Sequence, residues 1–244
     1  MTIVNPETGT NVHEIADGIY RLSTPVPEAV IGIPGGFTFN QYLVVDDEPL
    51  LFHSGPRRMF PLTRQAMEHV MPVERLRWVS FSHVESDETG ALNDWLHAAP
   101  RAQPLCGSVA AMVSIQDLAD RPPRALADGE EVVLGAKRLR WLDAPHLPHN
   151  WECGYLFEAT TRTLLCGDLL TKAGNGPALT ESDVVGAAVA LEKMMSAHAH
   201  TDVARKQIER LAALEPATLA CMHGSAFRGA CGKALLDFAT EINL

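Results

Sequence analysis

His83, Glu85, Asp87 and Glu88 place one imidazole and three carboxylates within six consecutive positions, directly after the apolar run 76–81. In an extended or loosely turning segment, residues i, i+2 and i+4 project to one side, so His83, Glu85 and Asp87 can converge on a point. Carboxylates held that close are costly unless cations neutralise them. Three acids alone read most simply as a solvated turn. An imidazole in register, together with partners further along the chain, turns the stretch into a metal-ligand loop.

Those partners each follow a strand-like apolar run. His146 and His149 come after residues 138–142, Asp168 after 163–165, and His223 after 217–221. Loops at one edge of a layered α/β sheet gather into a common cleft and carry function. The resulting donors are three imidazoles (His83, His149, His223) and three carboxylates (Glu85, Asp87, Asp168) with no thiolate, which suits iron or manganese at least as well as zinc. A closed structural zinc site is not expected, because Cys106, Cys153, Cys166, Cys221 and Cys231 contain no C-x-x-C pair. The acids also argue for two ions: with Glu88 they bring four negative charges, which two divalent cations balance and one does not.

The pattern His83-Val84-Glu85-Ser86-Asp87-Glu88 resembles the metallo-β-lactamase superfamily, and within it the His-x-Glu-x-Asp-His loop of flavodiiron cores and their flavin-free, oxygen-binding relatives. Glutamate at the third position distinguishes that branch from the His-x-His hydrolases and gives a harder donor better matched to iron. His149 stands nineteen positions before Asp168, as in the family. His223-Gly224-Ser225 is similar to its last ligand motif, and Asn40-Gln41-Tyr42-Leu43 to its early strand. The resemblance implies a four-layer αβ/βα sandwich, with His83, Glu85 and His149 on a first metal, Asp87 and His223 on a second, and Asp168 bridging.

The departure is Glu88, where the family places histidine: either it coordinates as a carboxylate or it turns away and leaves an open position. Asp168, Glu88 and His146 are the candidates for direct participation in the chemistry. His146 reads as a hydrogen-bond donor behind the ligands or a proton shuttle, against the plainer reading of a loop histidine. His53 falls where the superfamily places a residue behind the metals. Cys166 and Cys221, each just ahead of a ligand, read as buried filler rather than redox thiols. Trp151 reads equally as cleft mouth or core, and His198 and His200 as surface or cap residues ahead of a pocket-rim role.

What the resemblance implies for function is a non-heme diiron protein that binds dioxygen or nitric oxide, and reduces it when an external partner supplies electrons. Zinc or manganese in place of iron stays open, as does a hydrolytic reading in which a metal-bridging hydroxide attacks a thioester, lactone or phosphoester. No flavin site and no flavodoxin module are expected in the chain, and the resemblance suggests a homodimer or larger assembly.

At 244 residues and 46% hydrophobic content the chain can bury one large α/β domain. A net charge of −10 argues against nucleic-acid binding. The first ten residues lack the basic start and apolar core of a signal peptide. The longest apolar helical stretch, 184–191, is too short to span a bilayer. A cytoplasmic protein with free thiols is the expectation. Strands are expected at 18–23, 39–45, 49–52, 130–133, 137–142, 155–158 and 164–166, and helices at 59–70, 91–98, 183–195, 202–214 and 226–240.

Overall fold

The computed structural model describes all residues, Met1–Leu244. Two sheets face one another. The first contains β1 (Thr2–Asn5), β2 (Thr10–Ala16), β3 (Ile19–Val26), β4 (Phe37–Val44), β5 (Leu50–Phe52), β6 (Trp78–Ser80), β7 (Gln103–Gly107) and β8 (Arg124–Leu126), hydrogen-bonded in chain order. It is antiparallel up to β5 and parallel from β5 to β8. The second runs β13-β15-β14-β12-β11-β10-β9, built from β9 (Glu131–Val133), β10 (Arg138–Asp143), β11 (Gly154–Glu158), β12 (Thr163–Gly167), β13 (Leu179–Thr180), β14 (Thr218–Cys221) and β15 (Ala226–Arg228). Within it β12 and β14 are parallel neighbours.

The near-continuous apolar strands are explained by burial on both faces. Along β5, Leu50 and Phe52 enter the core between the sheets while Leu51 points to the helices outside. Along β12 and β14, Leu165 and Ala220 face inward between the sheets, and Leu164, Cys166, Leu219 and Cys221 face outward. The outer layers are α1 (Phe60–Glu68) and α2 (Leu92–Ala98) on the first sheet, and α3 (Val185–Met195), α4 (Asp202–Ala212) and α5 (Cys231–Glu241) on the second. Layer order is therefore αββα, the sandwich expected. No helix is long and apolar enough to cross a membrane.

Several elements depart from the sequence reading, which also leaves out β1, β8, β13 and the helical stretch 108–118. Residues 226–240 are not one helix: Ala226 and Phe227 pair with Leu179 and Thr180 in the sheet, Gly229 turns the chain, and the helix starts at Cys231. Strand β2 escaped notice because its polar start is buried rather than solvated, with Thr10 hydrogen-bonded to Thr24 and the Asn11 amide to the Gly9 carbonyl. Strand β7 escaped because Pro104 reads as a strand breaker, yet it sits opposite Val79 in a parallel ladder.

Glu158 closes the β11–β12 turn. Its buried carboxylate accepts from the Thr160 and Thr161 N–H groups (2.9 and 2.7 Å) and from the Thr161 hydroxyl (2.6 Å). Burial pushes its pKa up, but these donors outweigh burial and hold it below the ordinary carboxylate value. A depressed folded pKa means stabilisation that is present above the unfolded pKa and lost as pH falls through the folded one. Glu158→Ala is expected to cost about 1–3 kcal/mol in urea denaturation at neutral pH, and the gap from wild type should shrink as the solution is acidified.

Candidate metal centre

The ligand loops leave the carboxyl ends of β6, β12 and β14 and the β10–β11 connection, so they meet at one edge of the sandwich. After β6 the chain bends through residues 82–85, is locally extended at Glu85 (φ −140°, ψ 167°) and then forms the single helical turn Ser86–Thr89. The i, i+2, i+4 alternation expected for His83, Glu85 and Asp87 thus does not reach Asp87. Asp87 and Glu88 reach the cluster from a helical turn instead.

The six candidate metal ligands come together. Glu85 Oε2 lies 3.1 Å from His83 Nε2 and 3.1 Å from His149 Nε2. Asp168 lies between the two imidazoles of the other pair, 3.8 Å from His83 Nε2 and 3.4 Å from His223 Nε2, and Asp87 is 3.2 Å from His223 Nε2. Donor atoms of His83, Glu85, His149 and Asp168 lie within 4.8 Å of one another, and so do those of Glu85, Asp87 and Glu88. Glu88 turns inward: it is fully buried, 3.9 Å from His83 Nε2, and neither carboxylate oxygen has a hydrogen-bond partner.

All three imidazoles are oriented alike. Nδ1 of His149 donates to the Ala197 carbonyl (3.1 Å), Nδ1 of His223 to the Thr38 carbonyl (2.8 Å), and Nδ1 of His83 lies 3.0 Å from the Ser82 hydroxyl. Every Nε2 is left facing the carboxylates. Fixing Nδ1 on a protein acceptor is how a metal-ligating histidine is held in the right tautomer.

The electrostatics follow from crowding. Hydrogen bonds from His149 and then His83 bring Glu85 down to about 2. Burial opposes ionisation of Asp168, but the hydrogen bond and charge of His223 outweigh it and keep its pKa below the ordinary range. His223 is raised to about 9, because Asp168 and Asp87 overcome its burial. Glu88 has no such help, and burial, followed by the charges of Asp168 and Asp87, pushes it well above a normal carboxylate.

Behind the ligands, His53 Nε2 lies 3.1 Å from the Ser82 hydroxyl, completing a His53–Ser82–His83 chain. Burial lowers His53 to about 3, so the ring is neutral. Gly167 (φ 50°) permits β12 to approach Ser82, since a Cβ there would fall 2.8 Å from its hydroxyl oxygen. The Asn40 amide and Tyr42 hydroxyl on β4 donate to the Cys221 carbonyl, and Asn40 and Arg21 to that of Gly224, clamping the His223 loop from the opposite sheet. Glu152 receives the Val84 N–H at 2.9 Å. Sequence reading singled out the Asn40–Leu43 strand but not its role, and it missed Thr38, Arg21 and Glu152, whose partners are too distant in the chain to show a local signal.

Two expectations for nearby histidines change. The His146 ring makes no hydrogen bond and does not line the cleft; only its backbone N–H is engaged, on the Asn150 carbonyl, with φ at 63°. His198 is buried rather than at the surface, 2.8 Å from Glu192 through Nδ1. Cys166 and Cys221 are buried against the outer helices, as filler, and Trp151 is exposed.

Glu192 also accepts the N–H groups of Ala197 and His198 (both 3.2 Å), which fixes the carbonyl that orients His149. Glu192→Ala is expected to lower metal affinity roughly ten- to hundredfold by freeing that ring. Chelator competition measures it, with Glu192→Gln, which keeps one acceptor, falling in between.

A cavity of about 900 Å³ opens over the cluster, walled by Val30, Ile33, Phe37, Leu191, Met195 and Phe238. Phe37 stacks on the His223 ring at 4.1 Å.

Residues 37–224, well over half of the chain, match the profile of the ODP family beta lactamase. This chain belongs to the ODP beta-lactamase family. Among solved structures, the ODP-family fold is similar to the metal-soaked Flv1 flavodiiron core from Synechocystis sp. PCC6803 (TM-score 0.81, 19% identity, 96% of this chain and 61% of that one). It is also similar to rubredoxin oxygen:oxidoreductase from Desulfovibrio gigas (TM-score 0.79, 18% identity, 94% and 61%). Its sequence is 24% identical over 119 residues to "Putative diflavin flavoprotein A 2" of Nostoc sp. strain PCC 7120, a match covering 48% of this chain and 20% of that protein. The chain thus spans about three fifths of those solved chains and a fifth of that curated relative. The metallo-β-lactamase-like, flavodiiron-type core expected from the His83–Glu88 loop is the observed fold.

Proposed function

We propose that the centre holds two iron ions and binds dioxygen or nitric oxide, with electrons from a separate donor when the gas is reduced. The observation that carries this reading is the common orientation of His83, His149 and His223, each with Nδ1 on a protein acceptor and Nε2 toward a carboxylate. The residues fit the ions: both Glu88 oxygens are buried without hydrogen-bond partners, a cost that a cation removes. His83, Glu85 and His149 would hold the first ion, Asp87 and His223 the second, with Asp168 shared and Glu88 a carboxylate ligand in the family's histidine position.

Bound there, iron supplies open coordination positions and one-electron redox chemistry. The protein's own part is to keep the imidazoles aimed, to balance the ionic charge with carboxylates, and to exclude bulk water with the Phe37 and Leu191 wall. The flavodiiron relatives support this reading. No flavin site in this chain, a homodimer or larger assembly and a cytoplasmic setting belong to the same proposal. One observation favours hydrolysis instead: the cavity far exceeds the needs of a diatomic gas and falls in the size range of small-molecule sites.

Elemental analysis of protein purified without added metal decides between them. Close to two irons per chain, with optical changes on anaerobic exposure to dioxygen or nitric oxide, is the expected result. Zinc at that stoichiometry together with esterase, lactonase or phosphodiesterase turnover would overturn it.

A further inference from the structure

Arg75, Arg77, Arg101 and Arg121 line a second concavity, of about 610 Å³, at the amino ends of β6 and β7. The metal ligands leave the opposite end of β6. None of the four guanidinium groups has a carboxylate within ion-pair distance, whereas arginines elsewhere, such as Arg64, Arg124 and Arg210, are paired. In a chain with ten more acids than bases, that is an unusual concentration of uncompensated positive charge.

Two of the groups are fixed in place. The Arg77 guanidinium lies 3.9 Å over the Trp78 ring and donates to the Arg101 carbonyl at 3.2 Å. Arg121 donates to the carbonyls of Ala99 (3.0 Å) and Ala102 (2.8 Å) through one nitrogen, leaving the rest of its fork free. A solvated face would leave such side chains loose. Held planar donors around a concavity are suited to bidentate recognition of oxyanions, with less side-chain entropy to lose on binding. Asp47 and Glu48 also border the pocket, and Glu48 is engaged by the Trp78 indole N–H at 3.1 Å.

We propose that this pocket binds a small anion bearing two or three phosphoryl groups. The volume lies within the range of small-molecule sites and exceeds what one phosphate fills. The Trp78 face is covered by Arg77, with Arg124 5.5 Å from the ring, so no aromatic platform is offered to a nucleobase and the phosphoryl chain is what the site reads.

Isothermal titration of the as-purified protein with inorganic triphosphate and, separately, with magnesium-free ATP tests this, against potassium chloride at matched ionic strength. Saturable binding of triphosphate is expected, weakened roughly tenfold or more in the Arg75→Gln/Arg101→Gln double variant. Both side chains are exposed, so circular dichroism and metal content should match wild type. ATP is expected to bind no more tightly than triphosphate, and ATP binding much tighter would show that the nucleoside is read and overturn the assignment to the phosphoryl chain. Absence of triphosphate binding, or binding unaltered in the double variant, overturns it. So does binding of an acidic polyglutamate peptide in place of triphosphate, which would assign the surface to a protein partner.

Discussion

Replacing Asp168 with asparagine is expected to cut bound metal from two ions per chain to one at most. Asp168 alone among the carboxylates lies near both His83 on one side and His223 on the other, at 3.8 and 3.4 Å. Asparagine keeps the shape but offers one neutral oxygen acceptor in place of the anion proposed to serve two cations. The metal-free protein should lose only about 1–3 kcal/mol, since His223 keeps Asp87 as a partner at 3.2 Å. Metal-loaded protein should lose much more thermal stability, because ions that bind only the native state stabilise it by mass action. Elemental analysis and calorimetry with and without chelator separate the two effects. Two tightly held ions in Asp168→Asn would refute the bridging role.

The second large effect has opposite signs in the two states. Glu88→Leu should stabilise the metal-free chain by about 1–3 kcal/mol, because it removes a fully buried carboxyl whose oxygens find no donor. In the presence of iron the same variant should lose stability relative to wild type and load its second ion poorly. A purely structural Glu88 would give the same sign with and without metal. Denaturation of both proteins under both conditions is the measurement, and a gain in both would mean that Glu88 serves no cation.

Much of this centre was legible because its ligands are local. His83, Glu85, Asp87 and Glu88 are consecutive or nearly so, and His149, Asp168 and His223 each follow a readable apolar strand. What could not be read is what depends on distant partners. The inward turn of Glu88 follows from a helical turn anchored by the contact of the Ser54 N–H with the Glu88 carbonyl. The burial of His198 depends on Glu192, and the Thr38 acceptor for His223 sits 185 positions away. Arg75, Arg77, Arg101 and Arg121 come from the separate segments leading into β6, β7 and β8, and only the sheet brings them together. For the fold, strands with alternating or continuous apolar residues were readable, whereas β2 and β7 were hidden by buried threonine and by proline, whose usual meaning is reversed by tertiary contacts.

The first sheet contributes His83, Glu85, Asp87 and Glu88, and the second contributes His149, Asp168 and His223. The centre is therefore a clasp fastened from both sides, and neither half of the chain encloses it alone. Any strain that parts the sheets, for instance at the Arg21 and Asn40 bonds to the Gly224 carbonyl, pulls the two sets of candidate ligands apart and would loosen the grip on any ion held between them.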